Sequence, residues 1–540
     1  MNVRRNVGSD RKSQDGCYSG DPSVGAPAAF HAALPLETKP GPEARHVLED
    51  FLARRDVGRV LGWLAVENRE GVSRLEQIFE SYDRPGLPLL DRCKFALPHL
   101  AISLSLRRTG ADKETAKTKL FHHHPTVRAL ALTARSIAYY GLTVPQRFVA
   151  PLLTVWNLTR ACNLECQHCY ENATHKPEAD ELSLGEKLGV VDKLARAGVR
   201  FLAIAGGEPL VCKDFWPVIE YAHQRGIHLT VASNGTLITP KVAARLVESG
   251  VKYVEVSVDS IRAGEHDTFR RRQGSWAKSV QGIRNLVKAG MRTGLAMCFT
   301  RQTYRTVDDS IHFALALGCK TFSHFNFIPA GGGEGIAESD LTPEQREWLL
   351  QRLAGHLQEG KINVISTAPQ FGRACIAYGS VEGVFAIGHA GKGTGQHTKV
   401  LARYIGGCGA GRSYCAIQPN GDVTPCVYIS SRVVGNLRNQ GIRRIWECDL
   451  FSELSDRADR GGHCRACDYR AYCGGCRARA LAYTGNIKAG DPGCFYNQAG
   501  AEELPQTWEW PGPDRDEQVA MPLKQLVSLI PVREKSVPGP

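Results

Sequence analysis

Cys162, Cys166 and Cys169 stand in the run Cys-Asn-Leu-Glu-Cys-Gln-His-Cys-Tyr and offer three thiolates from one short loop. Thiolates bind iron–sulfur clusters and zinc, and closed sites of either kind take four ligands. A cubane cluster has four irons, so three cysteines leave one iron open to a small molecule. An incomplete set suits a catalytic cluster. A second group is denser. Cys408, Cys415 and Cys426 surround the hairpin turn Pro419-Asn-Gly-Asp422, and Cys464-x2-Cys467-x5-Cys473-x2-Cys476 and Asp491-Pro-Gly-Cys494 follow. These eight cysteines match the number that two closed four-thiolate sites need. The competing reading is a zinc knuckle from Cys464 to Cys476, but its five-residue gap is short beside the roughly 15–20 residues of zinc ribbons. Cys17, Cys93, Cys212, Cys298, Cys319, Cys375 and Cys448 are scattered and read as small buried hydrophobes.

These loops need a scaffold. From residue 151 onward, apolar β-type runs at 153–157, 201–205, 228–232, 253–258, 294–299 and 322–328 alternate with helical patterns such as 184–197, 216–225 and 242–248. Repeated β-then-α units predict a parallel sheet with right-handed crossovers. Six units predict a partial barrel whose reactive face lies at the carboxyl ends of its strands, and the first Cys loop follows the first strand.

The 540 residues predict about three or four domains at roughly 100–200 residues each. Hydrophobic content of 43% and charged content of 23% are those of a globular protein with a large core. The formal charge of +12 is mild for this length and, without a long Lys/Arg block, points away from nucleic acid. The x2 and x3 cysteine gaps favour metal over disulfides, hence a reducing cytoplasm. No secretory signal is visible in the Gly-, Pro- and Ser-rich start. The apolar run 95–106 is shorter than the ~20 residues a membrane span needs, so a buried helix is expected there. The predicted organisation is a disordered segment at 1–42, a helical accessory domain at 43–150 and a barrel at 151–335. A helical and loop linker follows at 336–405, with 379–411 loop-like, then a Cys-rich domain at 406–498 and a tail at 499–540.

With its companions, the first Cys loop resembles the radical S-adenosylmethionine (SAM) superfamily. Gly206-Gly207-Glu208-Pro209 ends the second strand, Ser233-Asn234-Gly235-Thr236 the third and Ser257-Val258-Asp259 the fourth, with His266-Asp267-Thr268-Phe269-Arg270 beyond. The resemblance implies an α/β fold with a partial (β/α)6 TIM-like barrel. It also implies a [4Fe–4S] cluster on Cys162, Cys166 and Cys169 whose open iron binds SAM. Gly206 and Gly207 let backbone approach the ligand, and Glu208, beside Pro209, accepts from the SAM ammonium. Ser233, Asn234 and Ser257 then border the nucleotide, Arg270 pairs with its carboxylate, and His168 fills the slot beside the adenine. One electron from a low-potential donor such as ferredoxin or flavodoxin yields a 5′-deoxyadenosyl radical, chemistry suited to anaerobic conditions.

The second Cys group resembles the SPASM extension, which holds two auxiliary iron–sulfur clusters. It implies one on Cys408, Cys415, Cys426 and Cys476, and another on Cys464, Cys467, Cys473 and Cys494. The gap before Cys476 is two residues where the pattern has three, and only five residues separate Cys415 from Gly421. Cys408 therefore fits the first position better. Sulfatase-maturing relatives place an acid directly after a SPASM cysteine, whereas Cys426 is followed by Val427 and Tyr428. The run 473–480 with Asp491–Cys494 looks more like the haem-biosynthesis branch, whose members oxidatively trim porphyrin side chains. The first expectation is thus an oxidoreductase or lyase acting on a tetrapyrrole or similar small molecule. The second is a maturase that crosslinks, epimerises or decarboxylates a ribosomal peptide. A third is a non-catalytic iron–sulfur electron carrier, which has no use for a SAM pocket.

Overall fold

The computed structural model describes residues 47–497, apart from 69–71, 83, 85, 110–111, 117–123, 380–382 and 387–391. The segment 1–42 and the tail 499–540 lie outside the described residues.

Six strands follow one another as the alternation predicts: β1 (Leu153–Asn157), β2 (Phe201–Ala205), β3 (His228–Ser233), β4 (Tyr253–Ser257), β5 (Thr293–Cys298) and β6 (Thr321–Phe325). Each pairs in parallel with the next. Local chemistry sets the helix starts between them. Ser183 and Glu186 form a capping box before Leu184–Ala197, and Thr239 caps Pro240–Glu248. Strand alternation then sorts the side chains. Val254 and Val256 of β4 join Leu202, Ile204, Val231 and Ile283 in the packed layer between sheet and helices, while Glu255 and Ser257 face the barrel interior.

Two features depart from the predicted plan. Within the expected linker, β7 (Asn363–Ser366) pairs in parallel with β6 as a seventh strand. The hairpin β8 (Val384–Ala386) and β9 (Lys392–Thr394) and the helix Gly395–Ile405 replace much of the expected loop. The Cys-rich region is also no separate lobe. Its strand β10 (Tyr414–Ile417) pairs in parallel with β1, and β11 (Asp422–Thr424) and β12 (Gly435–Asn436) continue antiparallel. One ten-stranded sheet therefore carries both Cys groups.

The N-terminal region comprises α1 (Val47–Leu52), α2 (Arg55–Leu64), α3 (Arg74–Ser81), α4 (Leu89–Thr109), α5 (Lys113–Ala116) and α6 (His124–Tyr140). Arg128 Nη1 on α6 donates to Gly226 O at 2.8 Å and Arg135 Nη2 to Ala197 O at 3.2 Å. Both acceptors lie just before β3 and β2, so these helices dock at the amino ends of the strands, away from the Cys162 loop. The expectation that 95–106 is buried fails on one face of α4, where Leu97 is 79% and Leu100 55% exposed. Among the described residues no helix is long and apolar enough to cross a membrane.

Candidate functional site

At the carboxyl end of the barrel, residues from β1 to β6 and their loops enclose a cavity of about 990 Å3 open to solvent. Cys162, Cys166 and Cys169 lie on its wall. Their loop is pinned at its base, where Cys162 N donates to Thr174 O at 2.7 Å and Thr174 N to Arg160 O at 3.0 Å. Gln167 N donates to Phe269 O at 3.0 Å and Gly332 N to Cys169 O at 2.8 Å, tying the loop to two neighbouring segments. Main-chain N–H groups of Leu164 and Ala173 point at the sulfurs of Cys162 and Cys169, at 3.4 and 3.5 Å. Burial pushes the Cys162 thiol up to about 12 and the Cys166 thiol up to about 11. These are soft donors that stay protonated until a metal displaces the proton. Three such thiols on one cavity wall fit an iron–sulfur cluster.

Gly206 and Gly207 line the cavity and also have a packing task. A Cβ on Gly206 would lie 2.5 Å from Thr159 O, and one on Gly207 would lie 2.7 Å from Arg160 O. Gly206 also adopts φ +126°, closed to side-chain-bearing residues. The glycines let β2's end lie against the start of the Cys loop, where Gly207 N donates to Thr159 O at 2.8 Å and Glu208 N to Ala161 O at 2.9 Å.

Glu208 and Pro209 are buried and set back from the cavity wall. The Glu208 carboxylate accepts from Ser233 Oγ at 2.9 Å, Asn234 N at 2.8 Å and Leu210 N at 3.2 Å. It thus clamps the β3 turn, although burial raises its pKa. Ser233, Asn234 and Ser257 line the cavity, and Asn234 Nδ2 donates to Asn163 Oδ1 at 2.8 Å.

Arg270 also lines the cavity, and its Nε donates to Asp259 Oδ2 at 2.7 Å. Asp259 Oδ1 accepts from Cys298 N at 3.0 Å. Burial alone would raise the Asp259 carboxyl, but the Arg270 guanidinium and His168 ring bring it down to about 2. The His168 ring stacks on Phe269 at 4.4 Å between centroids, and its buried Nδ1 has no partner. Burial pulls His168 down to about 4, so the ring is neutral at pH 7.

Sequence reasoning missed Glu255. Burial raises it to about 7 against a hydrogen bond with Ser323. The signal was available, because an acid between Val254 and Val256 in a strand must face away from the packed layer. A carboxyl raised to about 7 is a neutral donor below that pH and an anion above it. Against a carboxylate-bearing substrate, product formation is therefore expected to fall as pH rises through about 7. Glu255→Gln donates at every pH and should flatten that limb, as rate profiles from pH 6 to 8 will test.

The second group divides as expected, with one exception. Cys408, Cys426 and Cys476 lie within electrostatic reach of one another, and Cys408 N donates to Cys473 O at 2.9 Å. Cys464 likewise neighbours Cys467, Cys473 and Cys494. Gly475 N points at Cys473 Sγ at 3.3 Å, and Asn497 Nδ2 at Cys464 Sγ at 3.2 Å. Cys415, expected beside Cys408, is not brought there. Alternation along β10 sends Tyr414 toward Cys426, where its hydroxyl accepts from Val427 N at 3.1 Å. Cys415 therefore points the other way, into the packed core against Thr154 Oγ1 at 3.9 Å. Among the described residues no three His, Cys, Asp or Glu side chains stand close enough to share one ion.

A loop-borne thiol trio at the mouth of a parallel α/β barrel, with a Cys-rich extension on the same sheet, defines an iron–sulfur radical enzyme. The chain belongs to the radical SAM superfamily, whose model matches residues 156–314, and an iron–sulfur cluster-binding SPASM domain matches 408–468. It is similar to the AdoMet-dependent heme synthase of Methanosarcina barkeri, at 33% identity over 350 residues, covering 64% of this chain and 97% of that protein. It is also similar to the mycofactocin maturase MftC of Mycolicibacterium smegmatis, at 32% over 354 residues, covering 64% and 83%. Streptococcus suis SuiB bound to S-adenosylmethionine shares the fold with a TM-score of 0.54 at 15% identity, covering 78% of this chain and 93% of that one. The protein is thus an enzyme whose cofactors are a SAM-binding [4Fe–4S] cluster, SAM and auxiliary iron–sulfur clusters.

Proposed function

We propose that this radical SAM/SPASM enzyme oxidatively modifies the carboxylate side chains of a tetrapyrrole. The carrying observation is the cavity wall. Met297, Phe325, Phe327, Ile328 and Tyr428 give it a large apolar and aromatic surface, on which Glu255 and Asn326 add polar groups. Asn326 Nδ2 is buried without a partner. A flat apolar ring bearing a few carboxylates matches that surface. Similarity to heme synthases over nearly their whole length supports the same reading.

In this reading Cys162, Cys166 and Cys169 hold the SAM cluster. Arg270, held by Asp259, meets the SAM carboxylate, while Ser233, Asn234, Ser257 and neutral His168 border the nucleoside. When bound, cluster and SAM supply a radical that abstracts hydrogen from the substrate. The chain's own residues orient the target carbon, keep water away from it and fix the carboxylate through Glu255 and Asn326. Cys408, Cys426 and Cys476 hold one auxiliary cluster, and Cys464, Cys467, Cys473 and Cys494 the other. A low-potential donor such as ferredoxin or flavodoxin supplies the first electron.

Anaerobic enzyme given SAM, reductant and an iron porphyrin bearing propionates is expected to release carbon dioxide and a product lighter by carbon dioxide and two hydrogens, since one hydrogen leaves in 5′-deoxyadenosine, the carboxyl proton is released and one electron passes to an auxiliary cluster. Porphyrin-independent 5′-deoxyadenosine with no change in the porphyrin would reject the assignment. Cys467→Ala is expected to spare SAM cleavage within about twofold while lowering product by roughly 10–100-fold, the range for altered metal surroundings. Parallel assays of 5′-deoxyadenosine and product check this. Peptide maturation is the second reading, favoured by the similarity to mycofactocin maturases, and a ribosomal precursor peptide in the same assay tests it.

A further inference from the structure

Four buried arginines gather around Cys408 and Cys476. Arg412, Arg457, Arg460 and Arg477 are 1%, 4%, 5% and 1% exposed. Among the described residues, every hydrogen bond they make goes to a main-chain carbonyl. Arg412 donates to Gln146, Tyr404, Ile405 and Gly406. Arg457 donates to Gly406, Cys408, Arg470 and Ala471. Arg460 donates to Glu453, Leu454 and Asp459, and Arg477 to Gly475, Ile487 and Ala489. Arg412 Nε, Arg460 Nε and Arg477 Nη2 are buried without any partner. Asp456 and Asp459 are the acids near Arg460, and Asp459 is ion-paired with Lys488.

Three other buried arginines are ion-paired. Arg373, beside Cys473 and Cys494, is ion-paired with Glu347. Arg346 and Arg479 share Asp340. An unpaired buried charge costs several kcal/mol, so four in one small region need an anion nearby. Arg412, Arg457 and Arg460 all feel the Cys408 thiol, Arg457 feels that of Cys473 as well, and Arg477, which directly follows Cys476, turns its Nη2 toward Gly475 on the side of Cys464. An iron–sulfur cluster on cysteine thiolates is anionic, and its net charge and surroundings set its reduction potential.

We infer that Arg412, Arg457 and Arg460 form a cationic cradle that makes the Cys408–Cys426–Cys476 cluster the more oxidising of the two auxiliary clusters. Its reduction adds one electron with no bond made or broken, and that added charge is what the cradle stabilises. The more oxidising cluster then stands beside the substrate cavity, because Tyr428 on the cavity wall is two residues from Cys426. Burial, ahead of any neighbour, pulls Arg412 and Arg460 down to about 10 and Arg457 to about 9, so all three remain charged at pH 7.

The inference rests on the proposed cluster assignment, which Cys408→Ala tests separately. Unchanged iron and sulfide in that variant would reject the assignment itself. The cradle is tested by redox titration of anaerobically reconstituted full-length protein, followed by electron paramagnetic resonance, with Cys467→Ala identifying the signal of the other auxiliary cluster. Arg460→Gln is expected to lower one auxiliary midpoint enough to change the reduced-to-oxidised ratio at fixed potential about tenfold, or ~59 mV for one electron. The other two midpoints should stay put, and Arg460→Lys should restore most of the shift. Three unmoved midpoints in fully loaded Arg460→Gln, or movement of the Cys467-dependent signal instead, would overturn the inference. If Arg460→Gln loads incompletely, thermal unfolding of cluster-free protein decides. Removing an uncompensated charge should leave the cluster-free variant at least as stable as its parent, whereas a purely structural arginine would leave it clearly less stable.

Discussion

Cys166→Ala is expected to lose 5′-deoxyadenosine formation by more than the roughly 100-fold that follows loss of a group merely supporting a metal ligand. Cys166 is on the cavity wall with Cys162 and Cys169, on a loop held at both ends by main-chain hydrogen bonds. Removing one of three thiols leaves two donors, too few to hold a cluster that must keep one iron open. Anaerobic assays with chemical reductant, alongside iron and sulfide counts, check it. The variant should fold, since the loop's ties run through the backbone. Full turnover by Cys166→Ala would reject the cluster site as drawn here.

Gly207→Ala is expected to rank next, although position 207 supplies no ligand. Its new methyl would meet Arg160 O at 2.7 Å, and the obstacle is main chain, which cannot rotate aside as a flexible side chain can. Overpacking in a well-packed core costs about 1–3 kcal/mol. Here the strain falls on the segment carrying Cys162, so iron content and SAM cleavage should drop together with Tm. Gly355→Ala, in the helix Pro343–Glu359 where a Cβ meets nothing within 4 Å, is the control. It should gain stability by about 0.4–1 kcal/mol. Equal Tm values for Gly207→Ala and the parent would show that the close approach is unimportant.

The two variants mark how far the chain's order of residues reaches. The Cys162–Cys169 spacing, the six β-then-α units and the turn at Ser233–Thr236 were legible because each is a local pattern. Side-chain period, capping chemistry and short-range ligand spacing need no knowledge of distant neighbours. The bounds 153–157 and 201–205 coincide with β1 and β2 for this reason. Glu208 was legible as a site residue, whereas its three donors, from Ser233, Asn234 and Leu210, come to it only through the fold.

Cys415 marks the opposite limit. Its place in the second Cys group made it an expected ligand, though a poorer fit than Cys408, and only the pairing of β10 with β1 sends its thiol into the core against Thr154. The seventh strand β7 is similar: four residues carry too short a period to be read until β6 offers a partner edge. The arginine cradle is tertiary, because Arg412 and Arg460 are far apart in the chain and both feel Cys408 only on folding. The residue order thus determined the chemistry on offer, a SAM-binding cluster and further thiolate sites on a parallel α/β scaffold. Folding decided which thiols meet, which acid faces the cavity and where unpaired charge collects, because burial and long-range pairing are properties of the packed chain.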